Sequence, residues 1–271
     1  MLATELAPLV KLDLPYPGLR SFEPEEAFLF YGRKSHTEEL LRRLSTNRFL
    51  AVVGTSGSGK SSLVRAGLLP ALYRGFLAGG VLHWRIAVMK PGESPMANLA
   101  TALAEQNIPT EKLTRSSQGL QQAIQDAAFG PGEGLLIVAD QFEELFRFRE
   151  QQKDGGAEAN LFVTSLLEAA DSFALPIYVV LTMRSDFLGD CTQFAGLAEA
   201  LNRSQYLIPR LTREQRREAI EKPVRLVDAV IAPRLAQRLL SDLGDDSDQL
   251  PVLQHALNRT FRKWREAGGN G

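Results

Sequence analysis

Cysteine is almost absent from this sequence of 271 residues, which contains only Cys191. One cysteine cannot form an intrachain disulfide or a zinc site built from cysteines, so the sequence lacks the disulfide framework of small secreted proteins. We expect Cys191 to be a small buried apolar residue in a reducing compartment.

Long apolar runs and a charge excess of one sign are also missing. No run approaches the roughly 18 apolar residues that a membrane span needs, and residues 1–15 lack the basic and apolar segments of a secretory signal. Lys and Arg number 31 against 32 Asp and Glu, so the formal charge is -1 and nothing overall attracts nucleic acid or anionic lipid. The sequence therefore predicts a cytoplasmic protein with no membrane partner and disfavours nucleic acid as a partner.

What the sequence does contain is the pattern of an α/β protein. Short apolar runs recur, each followed by polar sequence with helical spacing, which is typical of a parallel sheet buried on both faces. The runs predict strands at 49–53, 84–89, 135–139, 177–182 and 206–208. The predicted helices between and before them are 35–44, 61–73, 95–106, 117–129, 141–151 and 160–172, and 153–156 is a predicted loop.

The pattern changes after Pro209, where three helical segments follow with no strand among them: 212–221, 233–243 and 250–265. We therefore predict a three-layer α/β/α domain with a five-stranded parallel sheet and then a small all-helical domain. The predicted parts are an N-terminal strap (1–35) with a short helix at 24–30, the α/β domain (36–208), the helical domain (209–267) and a flexible glycine-rich tail (268–271). The linker composition of the tail leads us to expect a piece of a longer protein.

The stretch GTSGSGKSS, from Gly54 to Ser62, matches G-x-x-x-x-G-K-[ST] with a predicted strand before it and a helix after it. Glycines allow backbone N–H groups to turn inward around phosphate oxygens, and the following helix presents its positive end to them. The alternative is a flexible Gly/Ser-rich loop that matches by chance. The motif predicts a nucleotide site in which Lys60 reaches the β- and γ-phosphates and Ser61 binds Mg²⁺. The predicted phosphate-binding residues are Gly54, Thr55, Ser56, Gly57, Ser58, Gly59, Lys60, Ser61 and Ser62.

A carboxylate ends the apolar run at 135–139. Asp140 is positioned there to hold Mg²⁺ together with Ser61. Glu143 and Glu144, just beyond it, are candidates for polarising the attacking water. The alternative for this pair is a solvated first helical turn in which Glu143 pairs with Arg147.

A guanidinium follows the next apolar run, at 177–182. Arg184 is predicted to bind the γ-phosphate and to stabilise its charge, with a surface ion pair to Asp186 as the alternative. The predicted catalytic residues are Lys60, Glu143, Glu144 and Arg184. The sequence has no N-K-x-D segment that would read guanine, which favours ATP, and it has no second set of helicase motifs.

Together these stretches resemble the STAND class of signal-transducing P-loop ATPases, and within it the bacterial novel STAND type 1 module. The resemblance spans residues 15–264 through PYPGLRSFEPEEAFLFYGRK, GTSGSGKSSLVRAGLLPAL, VADQFEELFR, LTMRSDFLGD and LPVLQHAL. It implies a Mg²⁺-dependent ATPase of low turnover that switches between ADP-bound and ATP-bound forms. It also implies self-association through the ATPase domain in the activated state, and effector and sensor domains outside this chain.

The resemblance further implies two contacts with adenine. An N-terminal element of the family, two hydrophobic residues followed by Gly and Arg, contacts the adenine and ribose and matches Phe30, Tyr31, Gly32 and Arg33. Lys34 stands where the family usually has an acid. Pro251 matches a proline that packs near adenine, without the glycine that usually precedes it. We expect the three histidines, at positions 36, 83 and 255, to be surface or core residues rather than ligands.

Three other functions compete with the regulatory ATPase. The chain could hold nucleotide structurally without hydrolysing it. It could also be a small-molecule phosphotransferase or an initiator-type ATPase that contacts DNA through basic residues of the last helix, although a solvated helical face explains those residues as well. Those basic residues are Arg259, Arg262, Lys263 and Arg265.

Overall fold

The computed structural model describes residues 14–75, 81–149, 155–172, 176–242 and 249–269. Residues 1–13 of the predicted strap, 153–154 of the predicted loop and 270–271 of the predicted tail lie outside these ranges, as do the predicted helix ends at 150–151 and 243. None of the helices within the described ranges is long and apolar enough to cross a membrane.

The centre of the fold is one five-stranded parallel sheet, which confirms the predicted fold class. Its strands are β1 (Phe49–Gly54), β2 (His83–Met89), β3 (Glu133–Ala139), β4 (Ile177–Arg184) and β5 (Gln205–Leu207). Their order in the sheet is β2-β3-β4-β1-β5, with β4 hydrogen-bonded between β1 and β3. The carboxyl ends of these three strands therefore lie side by side at one edge.

Helices flank the sheet, and within the described ranges only helices follow β5. They are α1 (Lys34–Thr46), α2 (Lys60–Ser62), α3 (Leu69–Tyr73), α4 (Pro95–Ala104), α5 (Gly119–Asp126), α6 (Glu144–Arg149), α7 (Gly155–Asp171), α8 (Leu197–Arg203), α9 (Arg213–Arg225), α10 (Pro233–Asp242) and α11 (Leu250–Glu266). A π-helical segment, Leu63–Leu68, joins α2 to α3, and short 3₁₀ helices occupy Pro24–Leu29, Ser185–Phe187 and Gly189–Gln193.

Side chains of successive strand residues point to opposite faces and so form two cores. Along β1, Phe49, Ala51 and Val53 belong to one core, while Leu50 and Val52 belong to the other. A third core joins α9, α10 and α11. Burial on both faces explains why the central strands have near-continuous apolar sequences.

The N-terminal strap contacts both the third core and the π-helical segment. Tyr16 is buried in the third core, where its hydroxyl donates a hydrogen bond to the carbonyl of Ile220. Further along, Phe22 and Leu29 pack against Ala66 of the π-helical segment. The strap therefore connects the helical part of the chain with the helix that follows the glycine-rich loop.

Several predicted boundaries differ from the structure, and two of the differences have a physical reason. The predicted helix at 141–151 begins only at Glu144, because the N–H groups of Gln141 and Phe142 donate to Thr182 of β4 and hold a turn, with φ of 58° at Gln141. The predicted loop at 153–156 is already helical from Gly155. The first N–H groups of a helix have no intrahelical partner, so glycine disturbs a helix less there than in its interior.

Candidate functional site

The glycine-rich loop begins where β1 ends and leads directly into α2. Gly57 and Gly59 have φ values of 73° and 89°, a region that side-chain-bearing residues rarely adopt. Lys60 then folds back over the loop, and its Nζ donates to the carbonyls of Gly54 (3.0 Å) and Thr55 (2.7 Å). Lys60 thus closes the loop through two hydrogen bonds to its backbone.

Lys60 is a buried residue, with 9% of its surface exposed. Burial lowers the pKa of Lys60, and the carboxylates of Glu143 and Asp140 oppose that shift. A buried cation is stabilised by pairing with an anion. The position of Lys60 therefore suits the phosphates of a nucleotide.

Asp140 lies just beyond β3 and is buried among hydroxyl groups. Its Oδ1 accepts hydrogen bonds from Ser61 Oγ (2.7 Å) and Thr182 Oγ1 (2.5 Å), and its Oδ2 lies 3.3 Å from Nη2 of Arg65. A hydroxyl and a carboxylate are oxygen ligands of the kind that Mg²⁺ prefers, so Ser61 and Asp140 fit that ion. The described residues contain no group of three His, Cys, Asp or Glu side chains that could hold a metal by themselves. Mg²⁺ is commonly bound by one or two carboxylates together with substrate phosphates, which agrees with this sparse set.

The structure separates the two candidate glutamates. Glu143 is 7% exposed, and its Oε2 accepts a hydrogen bond from the backbone N–H of Arg184 (3.3 Å). The predicted alternative of a solvated turn is therefore wrong for Glu143. Arg147, its proposed partner, instead places its guanidinium over the ring of Phe187, and no ion pair joins Glu143 to Arg147 within the described ranges.

Arg184 is the last residue of β4 and is the register partner of Gly54 on β1. Its Nη2 forms an ion pair with Asp186, the alternative that the sequence left open. Its Nε is buried and has no hydrogen-bond partner among the residues that the structure describes. The guanidinium thus retains a free donor beside the loop.

A single cleft of about 540 Å³ joins most of these groups, a size within the range of about 300–1,000 Å³ for ligand sites. The predicted residues in its lining are Tyr31, Arg33, Ser56, Gly57, Gly59, Lys60, Ser61, Ser62, Asp140, Glu143, Arg184 and Pro251. Gly54, Thr55 and Ser58 line an adjoining cleft of about 210 Å³. Gly32 and Glu144 line neither of these two clefts of the described structure.

The family model of the novel STAND NTPase 1 matches residues 15–270, nearly the whole sequence. The chain belongs to this family. It is therefore a P-loop NTPase with a nucleotide-binding site, as its motifs predict. No curated protein matches the sequence.

Solved structures share the fold of this STAND NTPase at low sequence identity. The ORC2 protein of Aeropyrum pernix in its ADPNP-ADP complexes has a TM-score of 0.62 and 13% identity, with 88% of this chain and 65% of that chain covered. The ORC1 protein of the same organism in complex with DNA gives 0.56 and 16%, covering 89% and 63%. Domain III of the replication initiation protein DnaA from Thermotoga maritima gives 0.54 and 11%, covering 91% and 90%. The chain thus spans less than two thirds of the length of these two ORC structures and most of the DnaA domain.

Arg33 of the STAND NTPase is a buried link between the loop and the helical part. Its guanidinium donates to the carbonyls of Ser58 (2.8 Å) and Pro209 (3.1 Å) and to Nδ1 of His36 (2.7 Å). Burial lowers the pKa of Arg33 to about 10. Burial and the Arg33 charge lower the pKa of His36 to about 4, so its Nδ1 can accept this hydrogen bond. His36 is a core residue, as expected from the sequence.

Gly32 and Tyr31 lie against α9. Gly32 has a φ of 81°, and a Cβ at this position would lie 2.3 Å from the carbonyl oxygen of Gln215. The ammonium of Lys222 lies 5.6 Å from the centre of the Tyr31 ring. In the structure Gly32 therefore serves the packing of the strap on α9, while its predicted contact with nucleotide stays a prediction.

Sequence reasoning missed two residues that contact Asp140. Thr182 is a fully buried hydroxyl residue in the apolar run of β4, and such an exception within an apolar strand is a signal that could have identified it. Arg65 interrupts the apolar sequence LVRAGLL in the same way. Their convergence on one carboxylate depends on the strand order, which the sequence alone does not give.

Proposed function

We propose that this chain is the ATP-binding and slowly hydrolysing regulatory module of a signal-transduction ATPase. Its ADP-bound and ATP-bound arrangements would control self-association through the ATPase domain. Effector and sensor modules outside this chain and a cytoplasmic location are parts of the same proposal. The observation that carries it is the composition of the 540 Å³ cleft, whose walls include the loop, the acids beyond β3, the strap and the start of α11.

The chain's own residues suggest how ATP would be handled. Lys60 supplies a buried positive charge for the β- and γ-phosphates, and Ser61 with Asp140 would hold Mg²⁺. Bound Mg²⁺ neutralises phosphate charge. Glu143, buried and lining the cleft, is the group that can orient water and accept its proton, since Glu144 lies outside the lining.

A switch needs the γ-phosphate to favour one arrangement by a few kcal/mol, because a ligand shifts populations only by its differential affinity. ADP and ATP differ only at this phosphate, so the groups that can distinguish them are those assigned to it: Lys60, Glu143 and Arg184. Arg184 already has an acidic partner in Asp186. We infer that exchange of this partner for the γ-phosphate provides part of the difference.

An initiator-type ATPase is the second candidate, because the ORC1 structure of similar fold is in complex with DNA. At 16% identity that likeness shows the fold alone. The formal charge of -1 gives this chain no general attraction for a polyanion. We therefore place regulatory ATP turnover first.

Phosphate release from ATP tests this proposal in the unaltered chain, in Glu143→Gln and in Glu144→Gln. We expect Mg²⁺-dependent release from the parent chain and a loss of about 100-fold or more in Glu143→Gln, in line with the usual contribution of a general base. Glu144→Gln should keep most of the activity, and calorimetric ATP affinity should remain similar in all three.

Two results would contradict the proposal. No Mg²⁺-dependent release from the parent would leave a module that holds nucleotide without hydrolysis. Equal losses in both variants would remove the distinction that the burial of Glu143 provides.

A further inference from the structure

Arg65 has a position that the proposed function does not use. It lies in the π-helical segment and lines the cleft of about 540 Å³, and its side chain is 23% exposed. Nη1 lies 3.0 Å from both carboxylate oxygens of Glu23, and Nη2 lies 3.3 Å from Oδ2 of Asp140. One guanidinium thus joins an acid of the strap to the acid assigned to the metal.

The positive charge of Arg65 compensates the negative charge of the buried Asp140 carboxylate. The Asp140 side chain is only 4% exposed, and its other hydrogen-bond partners, Ser61 and Thr182, are neutral hydroxyls. Arg65 is the one cation within ion-pair distance of Asp140 among the residues that the structure describes. A buried carboxylate without a counter-charge is costly, so Arg65 stabilises Asp140 as long as no other cation is bound there.

We propose that the Arg65 guanidinium supplies the positive charge beside Asp140 when no metal is bound, and that it competes with Mg²⁺ for this carboxylate. The inference rests on the proposed function for the assignment of Mg²⁺ to Asp140. Two cations on one buried carboxylate repel each other, so metal binding weakens the pairing of Arg65 with Asp140. Arg65 then pairs with Glu23 alone, because its Nη1 already contacts both carboxylate oxygens of Glu23.

Glu23 connects this exchange to the strap. It precedes the 3₁₀ helix Pro24–Leu29, and the N–H of its neighbour Phe22 donates to Ser62 Oγ (3.2 Å) on α2. Upstream, Tyr16 is buried in the third core. Metal loading at Asp140 therefore strengthens a contact to the segment that also reaches the helical part.

Competition predicts opposite effects for the two partners of the ion pair. Mn²⁺ affinity in the presence of saturating ADP, measured from the spin-resonance signal of free Mn²⁺, reports the site without turnover. Arg65→Gln should tighten Mn²⁺ binding by about tenfold, which corresponds to one moderate charge interaction. Glu23→Gln should weaken it, because Arg65 then pairs more fully with Asp140. Arg65→Lys should return the affinity toward that of the parent chain.

Arg85 provides the matched control. Its side chain is also 23% exposed and pairs with Glu133, which lies at the opposite end of β3 from Asp140. Arg85→Gln should leave Mn²⁺ affinity unchanged. Thermal unfolding supplies a second readout. Arg65→Gln should lower the melting temperature measured in the presence of a chelator, and Mn²⁺ with ADP should restore it.

The outcomes separate this inference from the proposed function. Tighter binding in Arg65→Gln supports competition, and a purely structural role for Arg65 would not produce it. Unchanged or weaker binding, with a parent chain that binds Mn²⁺ and ADP, overturns the inference and makes Arg65 at most a support for Asp140. If the parent chain binds ADP but does not bind Mn²⁺, the metal assignment in the proposed function is overturned instead.

Discussion

At the residue scale, burial and one charged neighbour together lower the pKa of His36. Its imidazole is buried beside the Arg33 guanidinium, with the Tyr206 ring 6.4 Å away between centroids. Burial and the Arg33 charge lower its pKa from 6.5 to about 4. The neutral form is thus favoured in the folded protein, where Nδ1 accepts from Arg33.

We expect His36 to remain neutral until about pH 4, because protonation would place a second charge beside Arg33. The unfolded chain binds this proton near pH 6.5, so the free energy of unfolding should fall as the pH is lowered from 6.5 toward 4. Imidazole resonances and urea unfolding at several pH values measure the two effects. His36→Gln keeps an acceptor for Arg33 and should remove this part of the pH dependence, whereas titration of His36 near pH 6.5 would contradict the account.

Motif spacing made one class of site residue predictable. The glycine-rich motif identified Lys60 and Ser61 because the sequence itself encodes their distance from the loop. Asp140 was found because it ends an apolar run. Thr182 and Arg65 were missed, since their role comes from contact with Asp140 across 42 and 75 positions of sequence.

At the scale of elements, the entry to α1 depends on a close approach to α9. Gly32 has a φ of 81°, and the Cβ of an alanine would lie 2.3 Å from the backbone oxygen of Gln215. Backbone cannot move aside as a side-chain end can, so Gly32→Ala must displace the strap or α9.

Gly32→Ala should lower the free energy of unfolding by roughly 2 kcal/mol or more, from the sum of backbone strain and overpacking. Chemical denaturation measures this change. Gly75→Ala is the control for strain alone, since Gly75 has a φ of 76° and no described atom lies within 4 Å of an added Cβ. Gly189→Ala, with equally open space, controls for the substitution itself. A loss in Gly32→Ala no larger than that in Gly75→Ala would show that the contact with α9 is unimportant.

Strands were easier to predict than the segments that follow them. Apolar runs identified all five strands of the sheet, most clearly β1, β3 and β4, whose burial on both faces leaves a strong signal. The turn after β3 was mistaken for helix, since hydrogen bonds to Thr182 of a neighbouring strand determine its conformation. Local sequence contains no record of such a contact.

At the scale of the whole molecule, the described residues form three large apolar cores and a small cluster of Phe22, Leu29 and Ala66. Two cores lie on the faces of the sheet, and the third joins the helical segments with Tyr16 of the strap. The helical segments were predictable from their spacing, whereas the burial of Tyr16 among them was not. The lining of the cleft takes in the strap, the loop and the start of α11, so a ligand bound there contacts all three.

The central claim is that this cleft binds ATP through the glycine-rich loop, and the ATP affinity of Lys60→Ala, measured by calorimetry, tests it most directly. Lys90→Ala is the matched control, since Lys90 is an exposed lysine of the same cleft that follows β2, and two strands separate β2 from β1. We predict that the parent chain and Lys90→Ala bind ATP alike. Lys60→Ala should keep its circular dichroism spectrum but lose at least about 100-fold in affinity, or about 2.7 kcal/mol. An unchanged affinity in a folded Lys60→Ala protein would contradict the account.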